Sequence, residues 1–96
     1  MIKIYLIKTQ HCPKCTILQP HWENFKKLHK DLEFKEIIFG ENPKDDEFVK
    51  YHNIQTAPSI IIDNGEVKGL YSNVLSLNAL EHCFETFTKG KEDGQI

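Results

Sequence analysis

Apolar positions recur along this chain with two different periods, and each change of period marks a new element. Ile2, Ile4, Tyr5, Leu6 and Ile7 make a nearly continuous apolar run broken only by Lys3, the pattern of a central strand covered on both faces. Residues 8–11 read as its exit loop. Leu18, Trp22, Phe25, Leu28 and Leu32 then recur at spacings of four, three, three and four, which gathers them on one side of a helix. Pro13 suits the first helical position, where its fixed φ fits the turn and its missing N–H costs nothing. Pro20 lies inside the same helix, removes one backbone donor and predicts a kink.

Residues 34–39 read as a second strand, less regular and so nearer an edge. Asn42-Pro43 starts a second helix, with Asp45, Asp46 and Glu47 near its positive end and Phe48, Val49 and Tyr51 as its buried face. Residues 59–62 form a third strand, Asn64-Gly65 a two-residue hairpin turn, and residues 66–71 the returning strand. Ser76 caps a last helix with Leu77, Leu80, Phe84 and Phe87 inward, ending near Gly90. The order βαβ, α, ββα makes this an α/β chain. It reads as a single domain over residues 1–90 with a flexible polar tail at 91–96.

Composition narrows the function classes. Ninety-six residues leave room for one small core. A hydrophobic share of 40% and a charged share of 27% are ordinary for a soluble globular chain. The net charge of −2 gives no electrostatic reason to expect nucleic acid or an anionic membrane as partner. No apolar stretch reaches the length of a membrane span, and the N-terminus lacks a signal-peptide pattern. The expectation is a cytoplasmic monomer. Three cysteines are too few and too unevenly placed for a disulfide-stapled scaffold.

Chemistry enters at His11-Cys12-Pro13-Lys14-Cys15, between the first strand and the first helix. The thiolate is the attacking species in disulfide exchange, and a free cysteine with a pKa of about 8.5 is mostly protonated at neutral pH. A cysteine capping a helix faces the unpaired N–H groups of Lys14 and Cys15 and the positive end of the helix dipole, which favour the anion. Lys14 adds a nearby charge, and His11 adds another when protonated. Cys12 is therefore the expected nucleophile and Cys15, inside the first turn, the resolving thiol. Cys12 attacks a disulfide, Cys15 attacks the mixed disulfide, and the protein is left with a Cys12–Cys15 disulfide.

A bare CxxC is also half a zinc site. A binding module with structural zinc is thus an alternative of another class, although no second CxxC exists and His11, His21, His52 and Cys83 lie at no recognisable ligand spacing. Lys8 reads as a solvated loop lysine, the alternatives being to deprotonate Cys15 or to steer an anionic substrate. Cys83, between Leu80 and Phe84, reads as a buried apolar residue, and Trp22 as core. His21, His29, His52 and His82 have no evident partners in the sequence.

Other residues add to the pair. Pro20 lies five residues after Cys15, Thr56-Ala57-Pro58 stands immediately before an apolar strand, and Asn64-Gly65 follows it. In this order the motifs resemble the thioredoxin superfamily over nearly the whole chain. The resemblance implies a thioredoxin-like fold, a four-stranded mixed sheet flanked by three helices. It also implies a cis Ala57–Pro58 bond against the cysteine pair and a substrate-binding role for Thr56, Ala57 and Pro58. The activity implied is thiol–disulfide exchange on disulfide-containing proteins, with a reductase or glutathione as electron donor and no tightly bound cofactor. Cys12-Pro13 looks like glutaredoxins, which makes a glutathione-dependent enzyme the alternative. Pro20, Asn42-Pro43 and the hairpin look like thioredoxins. The buried acid of thioredoxins aligns with Leu6, their tryptophan before the first cysteine is His11, and the Gly-Gly of glutathione-binding glutaredoxins is not visible.

Overall fold

The computed structural model describes residues 2–93, with side chains through Lys89. Seven elements follow in the order β1 (Lys3–Thr9), α1 (Pro13–Leu28), β2 (Glu33–Phe39), α2 (Pro43–Tyr51), β3 (Ser59–Asp63), β4 (Lys68–Ser72) and α3 (Leu77–Asp93). They build one sheet of strand order β2-β1-β3-β4. β1 pairs parallel to β2 and antiparallel to β3, and β3 pairs antiparallel to β4. This is the expected α/β architecture, with β1 central and β2 at an edge.

The continuous apolar runs of β1 and β3 are explained by helices on both faces of the sheet. Ile4 and Leu6 of β1 join Ile60 and Ile62 of β3 in one cluster with Leu18, Trp22 and Phe25 of α1 and Leu80 and Cys83 of α3. Ile7 and Ile61 point the other way, to Ile37 of β2 and Val49 of α2. Alternation along a strand sends neighbouring side chains to opposite faces. Each large apolar side chain so buried contributes about 1.5–3 kcal/mol.

Several local expectations change. Leu28 is 63% exposed, because α1 ends there and the stripe through Leu18, Trp22 and Phe25 continues to His29. The His29 ring packs 4.4 Å from that of Phe25 and 5.0 Å from that of Phe84, and its Nε2 meets Glu81 of α3 at 2.9 Å. Tyr51 is 80% exposed; in the last turn of a nine-residue helix it faces away from the sheet, and Ile54 packs against that cluster with Phe48. The hairpin holds four residues instead of two. The Asn64 side chain accepts the N–H groups of Glu66 and Val67 at 2.9 Å, which keeps those amides out of the ladder, so β4 starts at Lys68. α3 starts as expected, with Ser76 Oγ accepting from Ala79 N at 3.2 Å. It runs to Asp93, past Gly90, and the rest of the expected tail, 94–96, lies outside the described residues.

Asp45 and Asp46 do more than complement the dipole of α2. Asp45 accepts the N–H of Ile38 at 3.2 Å and Asp46 that of Gly40 at 2.8 Å, so the first turn of α2 is tied to the end of β2. Asn42 caps the helix through the N–H of Lys44 at 2.9 Å.

Candidate active site

β1 ends at Thr9 and α1 begins at Pro13, so the chain crosses the end of the sheet in three residues. His11 adopts a left-handed φ of 56°, a conformation histidine takes more readily than most residues. Cys12 returns to extended backbone as the N-cap of α1. Its Sγ accepts the N–H of Cys15 at 3.1 Å; of the two amides expected there, Lys14's and Cys15's, Cys15's makes the bond. Thr16 N donates to the Cys12 carbonyl at 3.1 Å and opens the helical ladder.

A disulfide joins Cys12 to Cys15, with their Cα atoms 5.2 Å apart. The two sulfurs are not equivalent toward solvent: Cys12 is half-buried, whereas Cys15 is 5% exposed. Thiol–disulfide exchange depends on access to the sulfur attacked, and of the two only Cys12 has appreciable access. His11, Pro13 and Lys14 are exposed around it. A cavity of about 330 Å³ opens beside the pair, bounded by Cys12, Cys15, His11, Lys8, Gln19 and Glu41 among others.

Ala57–Pro58 is a cis peptide bond. Ser59 Oγ donates to the Thr56 carbonyl at 2.6 Å, which anchors this loop to the start of β3. Ser59 lies opposite Ile7 in the antiparallel ladder, so residues 56–58 emerge at the end of the sheet where the cysteines stand. Thr56 is exposed, Ala57 half-buried and Pro58 buried. A second cavity, of about 210 Å³, is bounded by Thr56, Ala57, Ile54, Val49 and Phe39, and shares Thr9 with the cavity of the cysteines.

Lys8 corrects the reading of a solvated loop residue. It lies on β1, its side chain is 19% exposed, and its Nζ sits 2.6 Å from Glu36 Oε1 and 3.2 Å from Gln19 Oε1. Glu36 also accepts the indole N–H of Trp22 at 3.1 Å. Burial alone pushes the Glu36 carboxyl up, but the hydrogen bond and charge of Lys8, the Trp22 N–H and the charge of Lys26 outweigh it and hold the group below its ordinary value of 4.5. The sequence gives no hint of this network without the strand register. Leu6 pairs with Glu36 in the parallel ladder, which makes Lys8 and Glu36 diagonal neighbours on one face. Cys83 is buried as expected, and burial pushes its thiol above the ordinary 9.0.

Among the described residues no group of three or more His, Cys, Asp or Glu side chains is placed to hold a metal ion, and no helix is long and apolar enough to cross a membrane.

No family model matches the sequence, and no curated protein matches it either. Solved structures do match in shape. Thioredoxin O2 from Arabidopsis thaliana in the oxidized state superimposes with a TM-score of 0.76 at 15% identity, over 90% of this chain and 74% of that one. Thioredoxin from Trypanosoma brucei brucei gives 0.74 at 16% identity, over 93% and 76%. Fasciola hepatica thioredoxin gives 0.75 at 16% identity, over 85% and 76%. The chain has the thioredoxin fold, and a CxxC disulfide stands at the start of its first helix.

Proposed function

We propose that this protein is a dithiol–disulfide oxidoreductase that reduces disulfides of other proteins. The observation that carries the reading is the asymmetric pair at the N-terminus of α1, a half-buried Cys12 and a buried Cys15 joined as a disulfide. In the reduced protein Cys12 attacks the substrate disulfide and one substrate thiolate leaves. Cys15 then attacks Cys12, the second substrate thiolate leaves, and two electrons have passed from the dithiol to the substrate. Thr56 and Ala57, exposed and half-buried beside the cis bond, offer backbone to an extended substrate segment. Lys14 adds charge near the attacking sulfur, and His11 adds to it when protonated.

The electron donor proposed is a thioredoxin-type reductase, and the setting is the cytoplasm. Pro20, Asn42-Pro43 and Asn64-Gly65 support this over a glutathione donor, because in the sequence they look like thioredoxins. Two assays on one preparation test the reading. Cys12→Ser is expected to abolish reduction of a model protein disulfide, and Cys15→Ser to trap one mixed disulfide with it. Undiminished activity of Cys12→Ser sinks the assignment. Turnover with thioredoxin reductase and none with glutathione and its reductase is expected; the opposite pattern makes the protein a glutaredoxin. A stoichiometric zinc shielding both thiols from alkylation replaces the enzyme with a zinc-holding module.

A further inference from the structure

The second half of the exchange poses a problem that the first does not. Cys15 must lose its proton while Cys12 is tied to substrate, yet Cys15 is 5% exposed, and burial disfavours a thiolate. The strand before the motif offers only Leu6 at its deepest position, fully buried and apolar. The charged groups bounding the cavity beside Cys15 are Lys8 from β1, His11 from the loop and Glu41 from the β2–α2 connection. α1 itself adds Lys14, which is exposed, and Glu23, which accepts from Gln19 Nε2 at 3.0 Å. His11 and Glu41 are exposed and water-screened, whereas the Lys8 side chain is 19% exposed.

Lys8 is also aimed. Its Nζ bonds Gln19 Oε1 at 3.2 Å, and Gln19 stands four residues after Cys15, so the two share one helix face with Cβ atoms about 5–6 Å apart. Glu36 clamps the ammonium from behind: it bounds a different hollow, with Trp22, Lys26, Phe34 and Lys35, and not the cavity of the cysteines. Of the ion pair, the ammonium side thus bounds the cavity that Cys15 also bounds and the carboxylate side does not, and the Trp22 N–H holds Glu36 from the other side.

We propose that Lys8, held by Glu36 and Gln19, is a positioning residue for the resolving step, its ammonium stabilising the Cys15 thiolate. This rests on the redox reading above. The Cys15 proton passes to solvent in the cavity. The thiolate then attacks Cys12 Sγ, the Cys12–substrate S–S bond breaks, and the electron pair leaves on the substrate sulfur, which takes up a proton. Lys8 gives up no proton and forms no bond; it shifts the thiol equilibrium by charge alone.

The test uses the full reduced chain and one equivalent of dithiodipyridine, a neutral aromatic disulfide whose two halves leave in sequence. The first release reports attack by Cys12 and the second reports resolution by Cys15. Cys15→Ser should show the first release only. Lys8→Gln removes the charge but keeps a hydrogen-bonding group. It should still show the first release, with the pH midpoint of the second raised by about one unit and its neutral-pH rate lowered about tenfold. Lys8→Arg should restore the wild-type midpoint. An unmoved midpoint in Lys8→Gln, or failure of Lys8→Arg to restore it, overturns the proposal. Loss of the first release in Cys12→Ser alone leaves the redox reading intact, whereas its persistence there removes that reading itself. Far-UV circular dichroism separates a misfolded Lys8→Gln from an uncharged one, and Lys8→Met, also neutral, then repeats the measurement.

Discussion

The two faces of the sheet are built to different depths. Among the described residues, ten buried side chains close the face covered by α1 and α3, against four on the face covered by α2. On the deep side aromatic rings interlock: Phe25 meets Phe34 and Phe84 edge-on at 5.9 and 6.2 Å, and Trp22 meets Phe34 at 5.5 Å. On the shallow side a nine-residue helix is held by Val49, by Phe48 against Tyr5 at 4.9 Å, and by two carboxylates bonded to the end of β2. The helix carrying the cysteines is thus seated in the larger core, and the loop of Thr56 and Ala57 adjoins the smaller one. The proposed exchange needs the two sulfurs to keep their mutual geometry, which the more closely packed side favours. The loop of Thr56 and Ala57, if it takes up substrate as proposed, tolerates the less restrained one.

Matched truncations test this comparison most strongly. Ile4→Ala, at the centre of the deep face, should destabilise by about 4–5 kcal/mol, and Ile37→Ala, on edge strand β2 of the shallow face, by about 2 kcal/mol. The cost follows how far the surroundings can relax into the space left behind. Chemical denaturation of both variants measures it, and equal losses would remove the distinction between the faces.

A smaller effect asks whether close packing on the deep side reaches the far edge of the sheet. A Cβ on Gly69 of β4 would stand 2.7 Å from Tyr71 Oη and 3.0 Å from Phe87 Cδ1 of α3. Gly69→Ala should therefore cost about 1–3 kcal/mol by overpacking. A melting temperature equal to that of the unsubstituted chain would show that α3 yields there.

The smallest expected effect lies at the polar border of the deep face. Glu36 is held below its unfolded value of 4.5, so its contribution to stability is present above that pH and is lost as pH falls through the folded-state value. Glu36→Gln should flatten this acid limb of the stability curve, read by denaturation at several pH values. A limb unchanged in slope would mean that Lys8 and Trp22 do not hold the carboxylate.

Much of the fold is legible in the sequence because its signals are local. Pro13 and Asn42-Pro43 mark helix starts by what a ring without an N–H permits, and Ser76 by the reach of its hydroxyl. The site is legible for the same reason: two sulfurs three residues apart at a strand–helix junction meet by local geometry alone. The misreadings fall where a local pattern is ambiguous. Leu28 and His29 both fit the stripe of α1, and Phe84 and Glu81 of α3 select His29. Asn64-Gly65 fits a two-residue turn, and the Asn64 side-chain oxygen Oδ1 draws in two further amides.

The sequence by itself determined the order of the elements, the two-faced burial of β1 and the meeting of Cys12 with Cys15, since each depends on neighbours within about one helical turn. Only the tertiary structure decided what surrounds the pair. Lys8 on β1, Gln19 on α1 and Glu36 on β2 are separated by 11 and 28 positions from Lys8, and nothing local ties them together. The parallel register of β1 and β2 places Lys8 diagonal to Glu36, and the seating of α1 on that face supplies Gln19. Charges act through space, so their partners are set by the packing of whole elements.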